Sequence, residues 1–186
     1  MKIYFVYSKA YEYILREEEV KILVNFSTLG RKGQITIPKG FSEVLIDSGG
    51  YQLQVGVNAT RVPSVKTYAH WLKNQVTKNH HEVSGYMNLD IMDVESMLKS
   101  IGQEKTEILS RSAELTLGNQ IALEAEGLKP IPVWHAGEPE VYLNYYCTNY
   151  EYVSVGGMAS MSVSKSYILK LTQYIFQEYP NTKFHL

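Results

Sequence analysis

Short apolar runs recur along the chain and predict buried β-strands. Val, Ile, Leu and aromatic residues dominate these runs, and Gly, Pro or polar residues lie between them, a pattern typical of strands. The six runs cover residues 21–26, 43–47, 85–91, 130–136, 152–157 and 183–186.

Longer segments between the runs have the three- and four-residue apolar spacing of amphipathic helices. One begins after Ser64, a residue type that caps helices, and its apolar positions are Val65, Tyr68, Leu72 and Val76. Two more helices are predicted over residues 104–126 and 165–178, and Gly127 ends the first of these.

Strands and helices alternate along the chain, which predicts an α/β fold. Parallel strands need crossover connections, and helices usually supply them. Two architectures fit this pattern, a closed (β/α)8 barrel and an open doubly wound sheet. None of the strand runs is followed by G-x-G-x-x-G or G-x-x-x-x-G-K-[ST], so the common phosphate-binding loops are not predicted.

Polar residues and glycines follow four of the predicted strands at their carboxyl ends. They are Asp47, Asp90, His135 and Gly156–Gly157. Barrel enzymes assemble their sites at this rim. We therefore predict a TIM (β/α)8-type barrel with about six of its eight strands present. It forms a single partial domain over residues 1–186, in which residues 1–19 are an N-terminal lead-in.

Composition is consistent with one globular domain, since 45% of the 186 residues are hydrophobic and 20% are charged. No run reaches the roughly 18 apolar residues of a membrane span, and no secretory signal is evident. These features predict a cytoplasmic protein with no membrane partner. The single Cys147 excludes an intrachain disulfide framework and a multi-cysteine zinc site, and we predict no metal. The net charge of −1 means that a nucleic acid would need a local basic patch.

Four motifs, in this order, resemble those of the tRNA-guanine transglycosylase superfamily. They read DSGGYQ at 47–52, NLDIMD at 88–93, PVWHAG at 132–137 and VGGMAS at 155–160. The superfamily includes the queuine and archaeosine tRNA-ribosyltransferases, and related phage and bacterial enzymes that place deazaguanines in DNA. The resemblance extends from near residue 20 to the end of the chain.

The resemblance implies that the chain exchanges a guanine base in a polynucleotide, tRNA or DNA, for a free 7-deazaguanine. In this family an aspartate attacks the sugar and forms a covalent ribosyl-enzyme intermediate, and we predict no cofactor. A carboxylate nucleophile divides one difficult displacement into two easier ones. The target base must leave the stack to be reached.

The first motif supplies groups near the reacting sugar, according to the resemblance. Asp47 is the predicted catalytic residue, as a polar or proton-handling partner. Ser48, Gly49 and Gly50 bring backbone close to the substrate, which glycine permits because it has no Cβ. Tyr51 is expected to stack on the base.

The other motifs supply groups that bind the base. Asp90 matches the aspartate that accepts hydrogen bonds from guanine N1–H and the exocyclic amine, an edge that suits an acceptor-only carboxylate. The turn that contacts the base from the other side matches Gly156, Gly157 and Met158, although Met158 alone also fits a core-filling role.

His135 departs from the family pattern. The family usually has a glutamine there, which contacts the purine O6 and N7. A histidine does not present the paired donor and acceptor of an amide, so the base preference stays open. A buried structural histidine is the alternative interpretation.

The family's nucleophilic aspartate and zinc site would follow a strand beyond Leu186. Because a barrel needs eight strands, we expect a truncated product, a fragment or one half of a split enzyme, with a C-terminal half or a second copy as partner. Three functions stay open: a transglycosylase completed by that part, a catalytically inactive base-binding module, and another barrel enzyme that acts on a nucleotide or sugar.

Overall fold

A computed structural model describes residues 2–18, 20–26, 37–50, 63–78, 82–92, 99, 101–158 and 164–186. Seven strands lie in these ranges: β1 (Tyr4–Val6), β2 (Lys21–Asn25), β3 (Val44–Asp47), β4 (Val83–Tyr86), β5 (Val133–His135), β6 (Tyr152–Gly156) and β7 (Lys183–His185). The same ranges contain five α-helices: α1 (Glu12–Glu17), α2 (Val65–Lys78), α3 (Gly102–Ala125), α4 (Glu140–Asn149) and α5 (Lys165–Glu178).

All paired strands are parallel, and their order in space follows their order along the chain. Strands β1 to β4 form a four-stranded sheet, and β5 to β7 form a three-stranded sheet. Within the described residues, a single parallel bridge between Met87 and Ile131 joins the two sheets, just after β4 and just before β5. The α/β class predicted from the alternating pattern is therefore confirmed.

The outer face of the strands packs against the helices and contains two hydrophobic clusters. The first joins β2 and β3 to α2 and includes Ile22, Val24, Val44, Ile46, Tyr68 and Leu72. The second joins β5 and β6 to α4 and α5 and includes Trp134, Leu143, Tyr146, Val153, Val155 and Ile175. Each such side chain stabilises the fold by about 1.5–3 kcal/mol when fully buried, so these clusters hold the helices on the sheets.

The inner face is the opposite face, because successive side chains of a strand alternate between the two. It has an apolar middle layer of buried residues, which are Leu45, Met87, Ile131 and Val133. The partly buried side chains packed against this layer are Tyr4, Leu23 and Tyr152. The apolar layer thus includes side chains from β1, β2, β3, β5 and β6.

A charged cluster lies at the amino ends of the first strands. Lys2 Nζ donates to Glu43 Oε1 at 2.8 Å, and Tyr4 and Lys21 also donate to this carboxylate. Burial on its own would raise the pKa of Glu43, but the hydrogen bonds from these three groups lower it to about 2. Glu43 is therefore ionised at neutral pH and holds β1, β2 and β3 together below the apolar layer.

The first and last strands lie close together. The rings of Tyr4 on β1 and His185 on β7 are 6.1 Å apart between centroids, with an edge-on angle of 66° between their planes. Tyr4 also packs against the apolar layer with Tyr152 of β6. The series of strands therefore curves enough to bring its two ends into contact.

Five of the predicted runs contain β2, β3, β5, β6 and β7, and the run 85–91 overlaps β4 only at residues 85 and 86. The predicted count of about six strands is one short of the seven in the described residues. The predicted lead-in over residues 1–19 contains β1, which pairs with β2 from Tyr4 to Val6, and α1, which follows it. Strand β1 lies in the apolar run of residues 3–7, which has the composition of a strand. Helices α2, α3 and α5 confirm the predicted segments, and Thr67 N donates to the Ser64 cap at 3.2 Å. No helix in the described ranges is long and apolar enough to cross a membrane.

Candidate substrate-binding site at the carboxyl ends of the strands

Side-chain alternation places a polar layer at the carboxyl ends of the strands, on the inner face. Leu23, Leu45 and Val133 belong to the apolar layer, so the residues two positions further along each strand share their face. These residues are Asn25, Asp47 and His135. Strands β2, β3 and β5 therefore each end in a polar side chain that lies next to the apolar layer.

Asp47 is half-buried at the end of β3, opposite Asn25 in the register of β2 and β3. Asn25 Nδ2 donates to Asp47 Oδ2 at 2.9 Å. Burial and the nearby charge of Asp90 raise the pKa of Asp47 to about 6, against the opposing effect of hydrogen bonds from Gly49, Ser48 and Asn25. A carboxyl group with this pKa can both give and take a proton near neutral pH.

Asp90 is buried three residues beyond the Met87 bridge, with 8% of its surface exposed. Ser48 Oγ donates to Asp90 Oδ1, and His135 Nε2 lies 2.9 Å from Oδ2. Ser48 Oγ in turn accepts from Gly50 N at 3.1 Å. Burial alone would raise the pKa of Asp90, but hydrogen bonds and charge from His135, together with the Ser48 bond, lower it below its usual value. Asp90 is therefore an ionised, acceptor-only group.

His135 lies between two carboxylates. Its Nε2–H donates to Asp90, and its Nδ1–H donates to Glu138 Oε1 at 2.8 Å. Burial on its own would lower the pKa of His135, but the hydrogen bonds to Asp90 and Glu138 and the charges of these groups raise it to about 10. His135 is therefore an imidazolium at neutral pH, and both ring nitrogens are engaged within the protein.

Two glycines allow the backbone to lie directly on these charged groups. A Cβ at Gly156 would lie 2.6 Å from His135 Cδ2, and a Cβ at Gly50 would overlap the carboxylate of Asp90. Real Cβ atoms do not approach other atoms so closely. The DSGG and VGGM motifs therefore have glycine where the backbone covers Asp90 and His135.

The remaining predicted site residues lie around this centre or outside the described residues. Gly49 is buried in the turn that follows Asp47, and Gly157 is exposed beyond β6. Met158 is half-buried and packs against the hydrophobic cluster around Trp134, which agrees with its core-filling interpretation. Tyr51 lies outside the described residues.

The structure brings together Asp47, Ser48, Gly50, Asp90 and His135, as the strand-end pattern predicts. Both N–H groups of His135 donate within the protein, to Asp90 and Glu138, and its place among the groups that bind the base stays a prediction. These bonds also fit the alternative of a buried, hydrogen-bonded histidine.

Sequence reasoning missed two residues of this cluster. Asn25 ends an apolar run in the same way as Asp47, so the strand-end rule would have found it. Glu138 lies three residues after His135 in the turn HAGE, and an acid at this spacing can return to the ring of a strand-end histidine. Its carboxylate also accepts from the backbone N of His135 at 2.9 Å.

The arrangement suits a neutral ligand that presents N–H donors. Two carboxylates, Asp90 and Asp47, offer acceptors at one rim, and Asp47 adds a group that exchanges protons near neutral pH. Within the described part of the chain, no group of three or more His, Cys, Asp or Glu residues is arranged to hold a metal ion.

The chain was compared with protein families, curated proteins and solved structures. No family model, no curated protein and no solved structure matches the chain. The resemblance to the transglycosylase superfamily therefore rests on the four sequence motifs alone.

Proposed function

We propose that the chain binds a guanine-type base at the rim formed by Asp47 and Asp90, as part of an enzyme that exchanges guanine in a polynucleotide for a 7-deazaguanine. The observation that carries this proposal is the buried, ionised Asp90, held by Ser48 and His135 beside the proton-exchanging Asp47. A carboxylate accepts both N–H groups of the guanine Watson–Crick edge.

The proposal includes a (β/α)8-type barrel as the architecture. Three features support it: the sequential parallel strand order, the apolar inner layer shared by β1, β2, β3, β5 and β6, and the contact between Tyr4 and His185. In such barrels the carboxyl rim of the strands holds the site, and this rim carries Asp47, His135 and Gly156.

The proposed reaction has two displacements at the sugar C1′. A carboxylate oxygen forms a bond to C1′ while the bond from C1′ to guanine N9 breaks, and guanine N9 gains a proton. The corresponding nitrogen of the deazaguanine then loses its proton and bonds to C1′, which releases the carboxylate. Asp47, with its pKa near 6, is suited to move these protons.

Asp90 is not suited to be the nucleophile. It is buried, and its two oxygens accept from Ser48 and His135. This observation favours a second candidate, a module that binds the base without covalent chemistry. The nucleophile of the first candidate is then a carboxylate outside this cluster.

The test of base binding compares two ligands of nearly equal shape. Isothermal titration calorimetry should detect binding of 7-deazaguanine and little binding of 7-deazaadenine, which presents an acceptor where guanine presents N1–H. A hydrogen bond to a charged group is worth about 1.5–3 kcal/mol, so the preference should be at least about tenfold. Equal affinity for the two ligands would contradict the proposal.

The two candidate functions differ in covalent chemistry. Incorporation of radiolabelled guanine into tRNA or duplex DNA, together with a denaturation-resistant adduct, would identify a transglycosylase. Base binding without either signal would identify the binding module. When site carboxylates such as Asp90 are substituted in these assays, a Glu140→Gln variant shows the effect of removing one exposed negative charge away from the site.

A further inference from the structure

Glu138 has no role in the four motifs, yet it is one of the most deeply buried charged side chains near the site. Only 4% of its surface is exposed, in the turn between β5 and α4. A buried carboxylate is costly unless it is paired and hydrogen-bonded. Its presence therefore requires an explanation in terms of its partners.

Both oxygens of Glu138 bind the same residue. Oε2 accepts from the backbone N of His135 at 2.9 Å, and Oε1 accepts from Nδ1 of its ring at 2.8 Å. These two bonds fix the position and the orientation of the imidazole. The ring orientation in turn directs Nε2 toward Asp90 Oδ2, 2.9 Å away.

We propose that Glu138 is a positioning residue, which acts through His135 to hold the carboxylate of Asp90 in the orientation that accepts a ligand's N–H groups. This proposal rests on the proposed function, in which Asp90 binds a guanine-type base. Its substrate class is a neutral heterocycle with adjacent N–H donors.

The surroundings of His135 are consistent with this role. The charged groups that act on it are Asp90, from the loop after β4, and Glu138, from its own turn; together they raise the pKa of His135 to about 10 against the effect of burial. Gly156 on β6 faces the ring with no side chain. Tyr146 on α4 lies near Glu138, and burial together with the Glu138 charge raises the pKa of its hydroxyl.

Replacement of Glu138 by Gln would separate charge from shape. The amide oxygen accepts from the backbone N of His135, and the amide NH2 group donates to Nδ1 of a neutral imidazole whose Nε2–H still donates to Asp90. Glu138→Gln therefore lowers the pKa of His135 and keeps the orientation of the ring. Glu138→Leu removes both acceptors, so the ring loses the two bonds that direct Nε2 toward Asp90.

The first measurement needs no ligand. In 15N NMR spectra of the full chain at pH 7.5, His135 should show both ring nitrogens protonated, and its pKa should fall by more than about one unit in Glu138→Gln. Glu140→Gln, an exposed acid two residues away, should leave it unchanged. A neutral His135 in the unsubstituted chain would overturn the proposal, whatever the variant does.

The second measurement is calorimetric titration with 7-deazaguanine at pH 7.5. The affinity of Glu138→Leu should fall about tenfold or more, a factor that corresponds to about 1.4 kcal/mol. Glu138→Gln, which keeps the ring orientation, should retain most of the affinity, and Glu140→Gln should bind like the unsubstituted chain. Cooperative thermal unfolding of each variant is checked first. Unchanged affinity in a folded Glu138→Leu variant would overturn the proposal.

The two measurements separate this proposal from the proposed function. If the unsubstituted chain does not bind 7-deazaguanine, the proposed function fails, and so does the proposal that Glu138 prepares Asp90 for this ligand. The NMR result then still decides whether Glu138 controls His135. If the chain binds the ligand and His135 is neutral, the proposed function stands and the role of Glu138 is refuted.

Discussion

The ring of His135 donates from Nε2 to Oδ2 of Asp90 across 2.9 Å, and this bond connects the end of β5 to the loop after β4. The two sheets are otherwise joined along their backbones, within the described residues, by the single bridge between Met87 and Ile131. The pair therefore stabilises the junction between the sheets and also fixes an ionised carboxylate at the proposed site. Variants at this junction should affect stability and binding together.

Asp90→Asn should weaken binding of 7-deazaguanine while the chain stays folded. The substitution replaces one acceptor oxygen by a donor that faces His135 Nε2–H or Ser48 Oγ–H, and it removes the charge that the ligand's N–H groups meet. The expected loss is about 1.5–3 kcal/mol of binding free energy, measured by calorimetry. Unchanged affinity would remove Asp90 from the site.

Asp47→Asn should change the pH dependence of stability. The raised pKa of about 6 means that ionised Asp47 destabilises the fold. In the unsubstituted chain this cost appears as pH rises from about 4, the unfolded pKa, to about 6 and is fully present above it. The free energy of unfolding of Asp47→Asn, minus that of the unsubstituted chain, should therefore be larger at pH 7 than at pH 4 by about 2–3 kcal/mol.

Urea unfolding at both pH values measures this difference. Any hydrogen bond that the amide cannot make adds an offset that is the same at each pH, so only the change between pH values is diagnostic. A constant difference from pH 4 to pH 7 would mean that Asp47 has an ordinary pKa.

Gly156→Ala should destabilise the fold, because its Cβ would lie 2.6 Å from His135 Cδ2 and the ring is held by two carboxylates. Overpacking of this kind costs about 1–3 kcal/mol. Gly118→Ala is the matched control, since Gly118 lies within α3 and a Cβ added there would meet no atom within 4 Å beyond the backbone of the helix itself. That substitution should stabilise the helix by about 0.5–1 kcal/mol, and urea unfolding compares the two.

The closeness of β1 and β7 can be tested by cross-linking. With Cys147 replaced by Ala, a double variant with Tyr4→Cys and His185→Cys should react efficiently with a short bifunctional thiol reagent, because the two rings are in contact. The pair Tyr4→Cys and Phe184→Cys is the control, since Phe184 packs in the outer cluster. Equal yields from the two pairs in the folded state would argue against the contact.

Most of the fold could be predicted from local patterns. The strands β2 to β7 and the helices α2, α3 and α5 have apolar periodicities long enough to identify them. Helix α4 does not. Strand β1 lies in the apolar run of residues 3–7, so the same pattern identifies it, and only its parallel pairing with β2 is a tertiary contact that a local pattern does not contain.

The site was partly predictable for a related reason. Strand-end residues such as Asp47 and His135 meet at one rim because parallel strands end on the same side. Which groups bond to one another depends on side-chain distances across the rim. The contribution of Glu138, and the commitment of both His135 nitrogens to carboxylates, became evident only from those distances.

The contact between Tyr4 and His185 also has a consequence for how the chain folds. It joins residues from opposite ends of the sequence, and the apolar layer likewise joins Tyr4 to Tyr152. Contacts so distant along the chain form only after a large loss of chain entropy, which slows folding. We therefore expect the helices and the neighbouring strand pairs to form early, and the inner layer to become complete only when β6 and β7 have been synthesised and docked beside β1.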